Sequence, residues 1–519
     1  MRLKPAALPL LVVVIVVFLC TDSANAQSNS GEVIFRIGTF DRSSGEFPDV
    51  APKVPVHFVV GQSDPSRDWY ARQAAILASF AEQSSSDVAS APWTISFSLL
   101  NSPAPTYKMQ FHLLIKDANV PTLQVAINGK RGNFYLHPTL DSNMGDMLFD
   151  SDYSNADVSF SFPGTYLNTG TNTIALQAIE ETDKEVPDAA LTYDSIELDR
   201  ASGAFSPIAS SAQIMPTIFY QRRPSQLNEF VDVVVRYGQH VKRNASVDLE
   251  LNGKHFRQVL QGNQDFGEER LEFSVPEFPM HSEAQLNWSV GGQSQHERCF
   301  IDPKKKWTLF LVPHIHLDVG FSDYQAKIAA IQSRVIDEAL DLTEKHPDFR
   351  FSIDGYWPLE QFLKTRSSAE QQRVIAAIQK KRIFLPPQYA NLLTGFPTAE
   401  TLIRSLYSSA NFSRVYGTPF DYANITDVPS YSWSYASILA AARIKYFFAG
   451  SNNFRAPVLY QGHLNENSPF YWEGPDGQKV LLWYSLHYMQ MQVMFGLPPL
   501  IPAGHEMLPI FLQMYDRAS

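Results

Sequence analysis

The stretch VPHIHLDVGFSD, residues 312–323, sets His314, His316 and Asp318 at every second position, just after an apolar run. That run, WTLFLV at residues 307–312, is rich in β-branched and aromatic residues and reads as a buried strand. Downstream, Ile328, Ile331, Val335, Ala339 and Leu342 recur at helical spacing, which predicts one apolar face of a helix of about 20 residues. The polar triplet therefore falls where a strand gives way to a loop and then a helix. In open α/β sheets that carboxyl end of the strand is where ligands bind. In an extended chain alternate side chains point to one side. His316 and Asp318 would then offer a ring nitrogen and a carboxylate oxygen together, a combination that Zn²⁺ accepts. His314 points the same way, as a further ligand or as a partner of one. The spacing alone leaves three readings open: a metal site, a polar turn, or a buried hydrogen-bond cluster.

Outward from this point the chain alternates strands and helices. FRFSID reads as a strand, and SSAEQQRVIAAIQKKR as a helix with Ser367 or Ser368 as N-cap. IFLPPQY is extended, and TAETLIRSLYSSANFSRVYG is a helix capped by Thr398 and stopped at Gly417. ANITD, KYFFAG and KVLLWYSL read as strands, with the helix WSYASILAAARI between the first two. This βα alternation predicts an α/β domain with a mainly parallel sheet. Asp427 ends the ANITD strand, and parallel strands open on one face. Asp427 is therefore a candidate to join His316 and Asp318. The plainer alternative is a turn aspartate before Pro429.

Upstream the texture is all-β. Over residues 31–202 short runs such as TISFSLL, YKMQFHLLI and TIALQAI lie between Gly, Asn, Asp and Pro, which predicts a β-sandwich or jelly roll. Residues 206–303, with FVDVVVRYG, SVDLELNGK and AQLNWSVGG, read as a small immunoglobulin-like sandwich. KKKW at residues 304–307 reads as a solvated linker into the α/β domain, residues 304–519.

Of 519 residues, 45% are hydrophobic and 18% charged, enough apolar content for large cores. The formal net charge of −11 argues against nucleic acid or an anionic membrane as partner. Residues 1–26 have a basic start, an apolar run and Ala24-Asn25-Ala26, the parts of a secretory signal peptide. Export, to a secreted or periplasmic location, is expected. Cleavage after Ala26 would leave Cys299 alone, so the folded chain relies on its core and not on a disulfide. N-x-S/T sequons occur at Asn244, Asn287, Asn411 and Asn424.

Two resemblances sharpen these readings. IGTFDRSSGEF, LQVAINGK, NTGTNTIALQ and LTYDSIELD resemble the carbohydrate-binding-like C-terminal domain of rhamnogalacturonan lyases. That implies a glycan-binding β-sandwich, with Trp69, Trp93 or tyrosines as stacking surfaces, or else a module that only packs. His314, His316, Asp318, Gly320 and Phe321 follow the H-x-H-x-D-x-G-[WF] pattern of glycoside hydrolase family 38, the class II α-mannosidases. TDVPSYSWSYASILAAARIKYFFAGSN and FYWEGPDGQKVLLW resemble later parts of that family, although Val428 and SYSW depart from its usual aspartate loop.

This second resemblance implies a partial α-mannosidase-type barrel. It makes His316, Asp318 and Asp427 ligands of Zn²⁺ or a similar divalent metal. It makes Asp427 the nucleophile of a retaining hydrolysis of α-mannosidic bonds, with Phe321 and His314 beside the sugar. α-Mannoside glycans or a plant or microbial polysaccharide would be the partner. The family also supplies a fourth ligand, a histidine, and an acid/base aspartate. His463, His487 and His505, the histidines after Asp427, lie in no context that matches, and Asp476 reads as a turn. Both missing groups are expected beyond Ser519, so the chain as given is expected to be inactive by itself. A metal-dependent polysaccharide deacetylase and a non-catalytic glycan-binding protein are the alternative readings.

Overall fold

A computed structural model describes residues 32–77, 91–115, 120–137, 154–180, 189–205, 210–241, 245–290, 293–428, 431–451 and 468–485, with residues 488, 491, 508, 509 and 512. The expected leader, Asn244, His463, His487 and His505 lie outside them. The chain divides near residue 307 into two compact units. Most of the regular structure is β, spread over several sheets.

The first unit is built mainly from antiparallel strands. One sheet runs Glu32–Gly38, Ala190–Arg200, Thr106–Ile115, Ser154–Pro163. Side chains alternate in and out along these strands, and Ile37, Tyr107, Met109, Phe111 and Ile196 are fully buried. Trp69 and Trp93 belong to this interior. They are 0% and 3% exposed and meet edge to face at 5.2 Å, with Tyr193 against both. The sequence offered them as sugar platforms. Their aromatic faces are spent on the core instead, because the strand pattern that carries Trp93 turns it inward.

The second β segment is a two-sheet sandwich. Val231, Val233 and Val235 on Gln226–Tyr237 pack against Val247, Leu249, Leu286 and Trp288 from the facing sheet. Its boundary with the first segment is less sharp than the sequence implies. Phe266 and Gly267 pair in parallel with Gly132 and Asn133, so one hydrogen-bonded sheet runs through both. The approach is close enough to need glycine: a Cβ on Gly132 would lie 2.6 Å from the Phe266 ring.

Residues 304–307 are not a free linker. The Lys304 amide donates to Glu229 Oε1 at 3.1 Å, the Tyr220 hydroxyl donates to the Lys304 carbonyl at 2.6 Å, and Lys306 pairs with Glu277. A buried acceptor on the sandwich claims the backbone that the basic composition seemed to leave in water.

In the second unit, the predicted long helix is Gln325–Lys345. Its buried face is turned by about one residue from the expected one. Ile336 and Leu340 are covered, Leu342 is exposed and Val335 is half-buried. Ser367 caps Ser368–Gln379 by accepting from the Glu370 amide. The predicted helix after Thr398 is two helices, Ala399–Arg404 and Tyr407–Tyr416, ended by Gly417 at φ 66°. Between them the Ser405 hydroxyl donates to the Leu402 carbonyl at 2.7 Å, while the Leu406 amide turns to Ile403. Side-chain competition for the backbone acceptor breaks the ladder there.

Between strands of the second unit, parallel pairing occurs in two places among the described residues. Phe351–Ser352 pairs with Ile383–Phe384. Tyr422–Thr426 pairs with Tyr446–Gly450, and that strand with Lys479–Ser485, whose other neighbour, Phe470–Glu473, is antiparallel. Helix Trp433–Ala441 buries Tyr435, Ala436 and Leu439 against this second sheet. Residues 307–312 do not form the expected buried strand. Phe310 is 88% exposed, and the run meets a sheet only beyond its end, where His314 bridges Ser352.

Candidate metal centre

Three chain segments bring the site together. The 313–318 segment is tied to the Phe351–Ser352 strand by the Ser352 amide donating to the Pro313 carbonyl at 2.9 Å. The same strand runs on to Asp354, which is fully buried. Strand Tyr422–Thr426 then delivers Asp427. Its amide continues the ladder by donating to the Gly450 carbonyl at 2.8 Å, but its backbone turns to φ 61°. Aspartate tolerates this left-handed conformation better than most residues, and strain of this kind gathers at functional sites. The turn ends the strand and re-aims the carboxylate.

One ligand atom from each of His316, Asp318 and Asp427 lies within 4.8 Å of the others. His316 Nε2 stands 3.4 Å from Asp318 Oδ1 and 3.3 Å from Asp427 Oδ2. That nitrogen is buried and has no hydrogen-bond partner. A buried orphan nitrogen facing two carboxylates fits a divalent cation, and nitrogen with oxygen is a donor set that Zn²⁺ takes. The described residues thus contain a His/Asp/Asp group able to hold a metal.

Behind the ring, His316 Nδ1 meets Thr426 Oγ1 at 2.8 Å and Asp354 Oδ2 at 3.2 Å. Gln332, on the long helix, donates to the His316 carbonyl at 3.1 Å. Burial alone would lower the His316 pKa. The Asp354 hydrogen bond and the charges of Asp354, Asp318 and Asp427 outweigh it, and the net direction is upward from 6.5.

The sequence did not single out Asp354, Thr426 or Asn391. The signal was present for the first. Asp354 ends the FRFSID strand, as Asp427 ends ANITD. His314 stands apart from the three-residue group: its Nε2 faces the Tyr488 carbonyl at 3.2 Å. Phe321 is 86% exposed, two residues beyond Val319 in the turn after Asp318. Asp476 occupies the turn expected of it, accepting from the Ser437 hydroxyl and the Gln478 amide. Asn424, a sequon residue, is 1% exposed and donates toward Asp354. In the folded chain it is structural.

Residues 306–503 match the glycosyl hydrolases family 38 N-terminal domain. Upstream, residues 33–198 match domain III of polysaccharide lyase family 4, a carbohydrate-binding-module-like domain. Both matches fall on the segments whose motifs resemble those families. Among solved structures, one similar chain is a protein in glycosyl hydrolase family 38 from Enterococcus faecalis. It is 19% identical, with 40% of this chain and 22% of that chain covered at a TM-score of 0.30. The chain thus spans about a fifth of that protein's length. A GH2 β-galacturonidase from Eisenbergiella tayi is 11% identical, with 70% and 64% covered at a TM-score of 0.17. An exo-chitosanase from Amycolatopsis orientalis is 13% identical, with 70% and 46% covered at 0.16. Similarity at these scores carries no argument about function. No curated protein matches the chain. Among the described residues no helix is long and apolar enough to cross a membrane.

Proposed function

We propose that this chain comes from an exported glycoside hydrolase that cleaves α-mannosidic bonds with retention, on a site where His316, Asp318 and Asp427 hold a divalent metal, by preference Zn²⁺. The observation that carries the reading is the buried, partnerless Nε2 of His316 between two carboxylate oxygens, within a segment that matches the family 38 domain. The parallel strands around it are read as part of an α-mannosidase-type barrel.

A metal bound there supplies Lewis acidity and a template for adjacent sugar hydroxyls. The chain's own residues do the rest. Asp427, re-aimed by its left-handed backbone, attacks the anomeric carbon. Retention requires a second carboxyl about 5–5.5 Å from the first, acting as acid and then as base. Phe321, exposed beside Asp318, gives the sugar ring an apolar surface, and His314 lines the same strand end. The upstream sandwich holds the chain to polysaccharide by surfaces other than Trp69 and Trp93. A signal peptide at residues 1–26 exports the protein.

Elemental analysis of the purified chain tests the site. Metal is expected in the wild type and lost in His316→Ala and Asp318→Ala, while near-ultraviolet dichroism of the β unit is unchanged. Equal metal in all three proteins overturns the reading. NMR of the first-formed sugar from an aryl α-mannoside, with a form of the enzyme that turns it over, tests retention.

A further inference from the structure

Asp354 is completely buried and touches nothing of the metal group except the back of His316. Its Oδ2 lies 2.9 Å from the Leu317 amide, 2.6 Å from Asn391 Nδ2, 2.8 Å from Thr426 Oγ1 and 3.2 Å from His316 Nδ1. Its Oδ1 faces Asn424 Nδ2 at 3.5 Å. The Leu317 amide and the two side-chain amides only donate. A carboxylate only accepts.

The proton inventory then has one solution. The Thr426 hydroxyl has a single proton, and its oxygen sits 2.8 Å from Asp354 Oδ2 and 2.8 Å from His316 Nδ1. Given to His316, the proton would leave a hydroxyl lone pair against the carboxylate. Given to Asp354, it turns a lone pair toward His316, and that contact is favourable only if Nδ1 carries a hydrogen. Asp354, at 3.2 Å, demands the same. The two nearer neighbours of Nδ1 are therefore acceptors; Asn391 Nδ2, a donor, stands farther off at 3.5 Å and gives its short bond, 2.6 Å, to Asp354 Oδ2, so in the neutral ring the lone pair sits on Nε2. There it faces Asp318 Oδ1 and Asp427 Oδ2: three acceptors converge on one point with no donor among them.

We infer that Asp354, acting through Thr426, is a positioning residue: it fixes His316 in the Nδ1–H tautomer and so presents the Nε2 lone pair to the cation shared with Asp318 and Asp427. This rests on the metal reading above and extends it to residues that never touch the metal. Thr426 also immediately precedes Asp427, so the hydroxyl that orients the histidine is anchored one peptide bond from the third ligand. Outer carboxylates on ligating histidines typically contribute about 10–100-fold to metal affinity.

The test is Co²⁺ titration by calorimetry of the metal-stripped chain, beside ¹⁵N spectra of the neutral His316 ring. Asp354→Asn is expected to weaken Co²⁺ binding by about 10–100-fold and to move the ring toward the Nε2–H tautomer, because an amide can donate where the carboxylate cannot. Thr426→Val is expected to weaken binding in the same direction, and Thr426→Ser to restore it. The threonine pair keeps the question answerable if Asp354→Asn does not fold. A purely structural role for Asp354 would lower the melting temperature without moving tautomer or affinity in the folded chain. The inference is overturned if wild type binds, His316→Ala does not, and Asp354→Asn and Thr426→Val bind within twofold of wild type. If wild type and His316→Ala take up Co²⁺ alike, the metal reading has failed instead. The ¹⁵N spectra then decide the positioning role alone, and an unchanged tautomer in both variants rejects it.

Discussion

Residues 307–312 and Tyr422–Thr426 look alike on paper and differ in the folded chain. Both are short, apolar, β-prone runs that end in a candidate ligand, His316 from one and Asp427 from the other. Tyr422–Thr426 has a parallel neighbour in register over its whole length, and Ala423, Ile425 and Thr426 are buried. Residues 307–312 have no strand neighbour among the described residues, and Phe310 and Val312 are exposed. Hydrophobic content marks a segment as able to be a strand. A ladder partner and a covering layer make it one. The His316 side of the site is consequently held by few backbone bonds, at Pro313 and His314, while the Asp427 side is held by a sheet. The Asp354 network joins the two sides through side chains.

The largest effect should come from the sheet-held side. Asp427→Asn keeps the shape of the turn and removes the proposed nucleophile. Turnover of an aryl α-mannoside should fall by roughly 10³-fold or more, equivalent to about 4 kcal/mol of lost transition-state stabilisation. Steady-state rates checked against an unchanged melting curve would show it. A variant within about tenfold of wild type would remove Asp427 from that role and leave it as a strand-end turn.

Next in size is the sheet itself. Ile425 is 1% exposed, in a core with Ala423, Tyr435 and Phe447. Ile425→Ala should cost about 2–5 kcal/mol, the usual range for a large-to-small change in a packed core. Denaturant unfolding followed by the second unit's own signal measures it, and a cost below about 1 kcal/mol would mean that this strand is no better supported than residues 307–312.

The pH response of His316 compares the metal-free and metal-bound states. Its pKa is raised, with burial opposing and the Asp354 hydrogen bond and three carboxylates prevailing. For a raised histidine the metal-free chain gains stability as pH falls through the raised folded value, in full below the unfolded value near 6.5, and loses it as pH rises again. Metal needs the unprotonated ring, so affinity moves the other way. It should fall as pH drops below the raised value, by at most about tenfold per pH unit from this one group. Opposite slopes for melting temperature and metal affinity between pH 5.5 and 8 are expected, and slopes of the same sign would break the assignment.

How much of this was legible in advance follows the same division. The local signals held. Ser367 and Thr398 cap helices, Gly417 stops one, and Asp427 joins His316 and Asp318. What failed depended on contacts distant in sequence. Trp69 and Trp93 have the composition of a sugar platform, but whether an aromatic faces in or out is settled by the strands opposite it. Asp354 shows in the sequence only as a strand-end aspartate, because its role lies in what surrounds it. Its four closest partners come from three other segments, and no spacing rule encodes that. The rotated face of Gln325–Lys345 is the same lesson at smaller scale: Ile336 and Val335 are adjacent, and packing chose between them.

The smallest predicted effect is also the sharpest test of the opening contrast. Phe310 is 88% exposed, next to half-exposed Leu309 and Leu311. Replacing an exposed apolar residue that packs against nothing changes stability by about 0.5 kcal/mol or less. Phe310→Ser should therefore leave the unfolding midpoint of the isolated chain almost unmoved and reduce its tendency to associate, since a contiguous exposed apolar run promotes aggregation. Sedimentation and denaturant melts on the same preparation give both quantities. A loss above about 1.5 kcal/mol, the scale of burying such a side chain, would mean that residue 310 is covered. Residues 307–312 would then be a true strand, and the two sides of the metal group would be held alike.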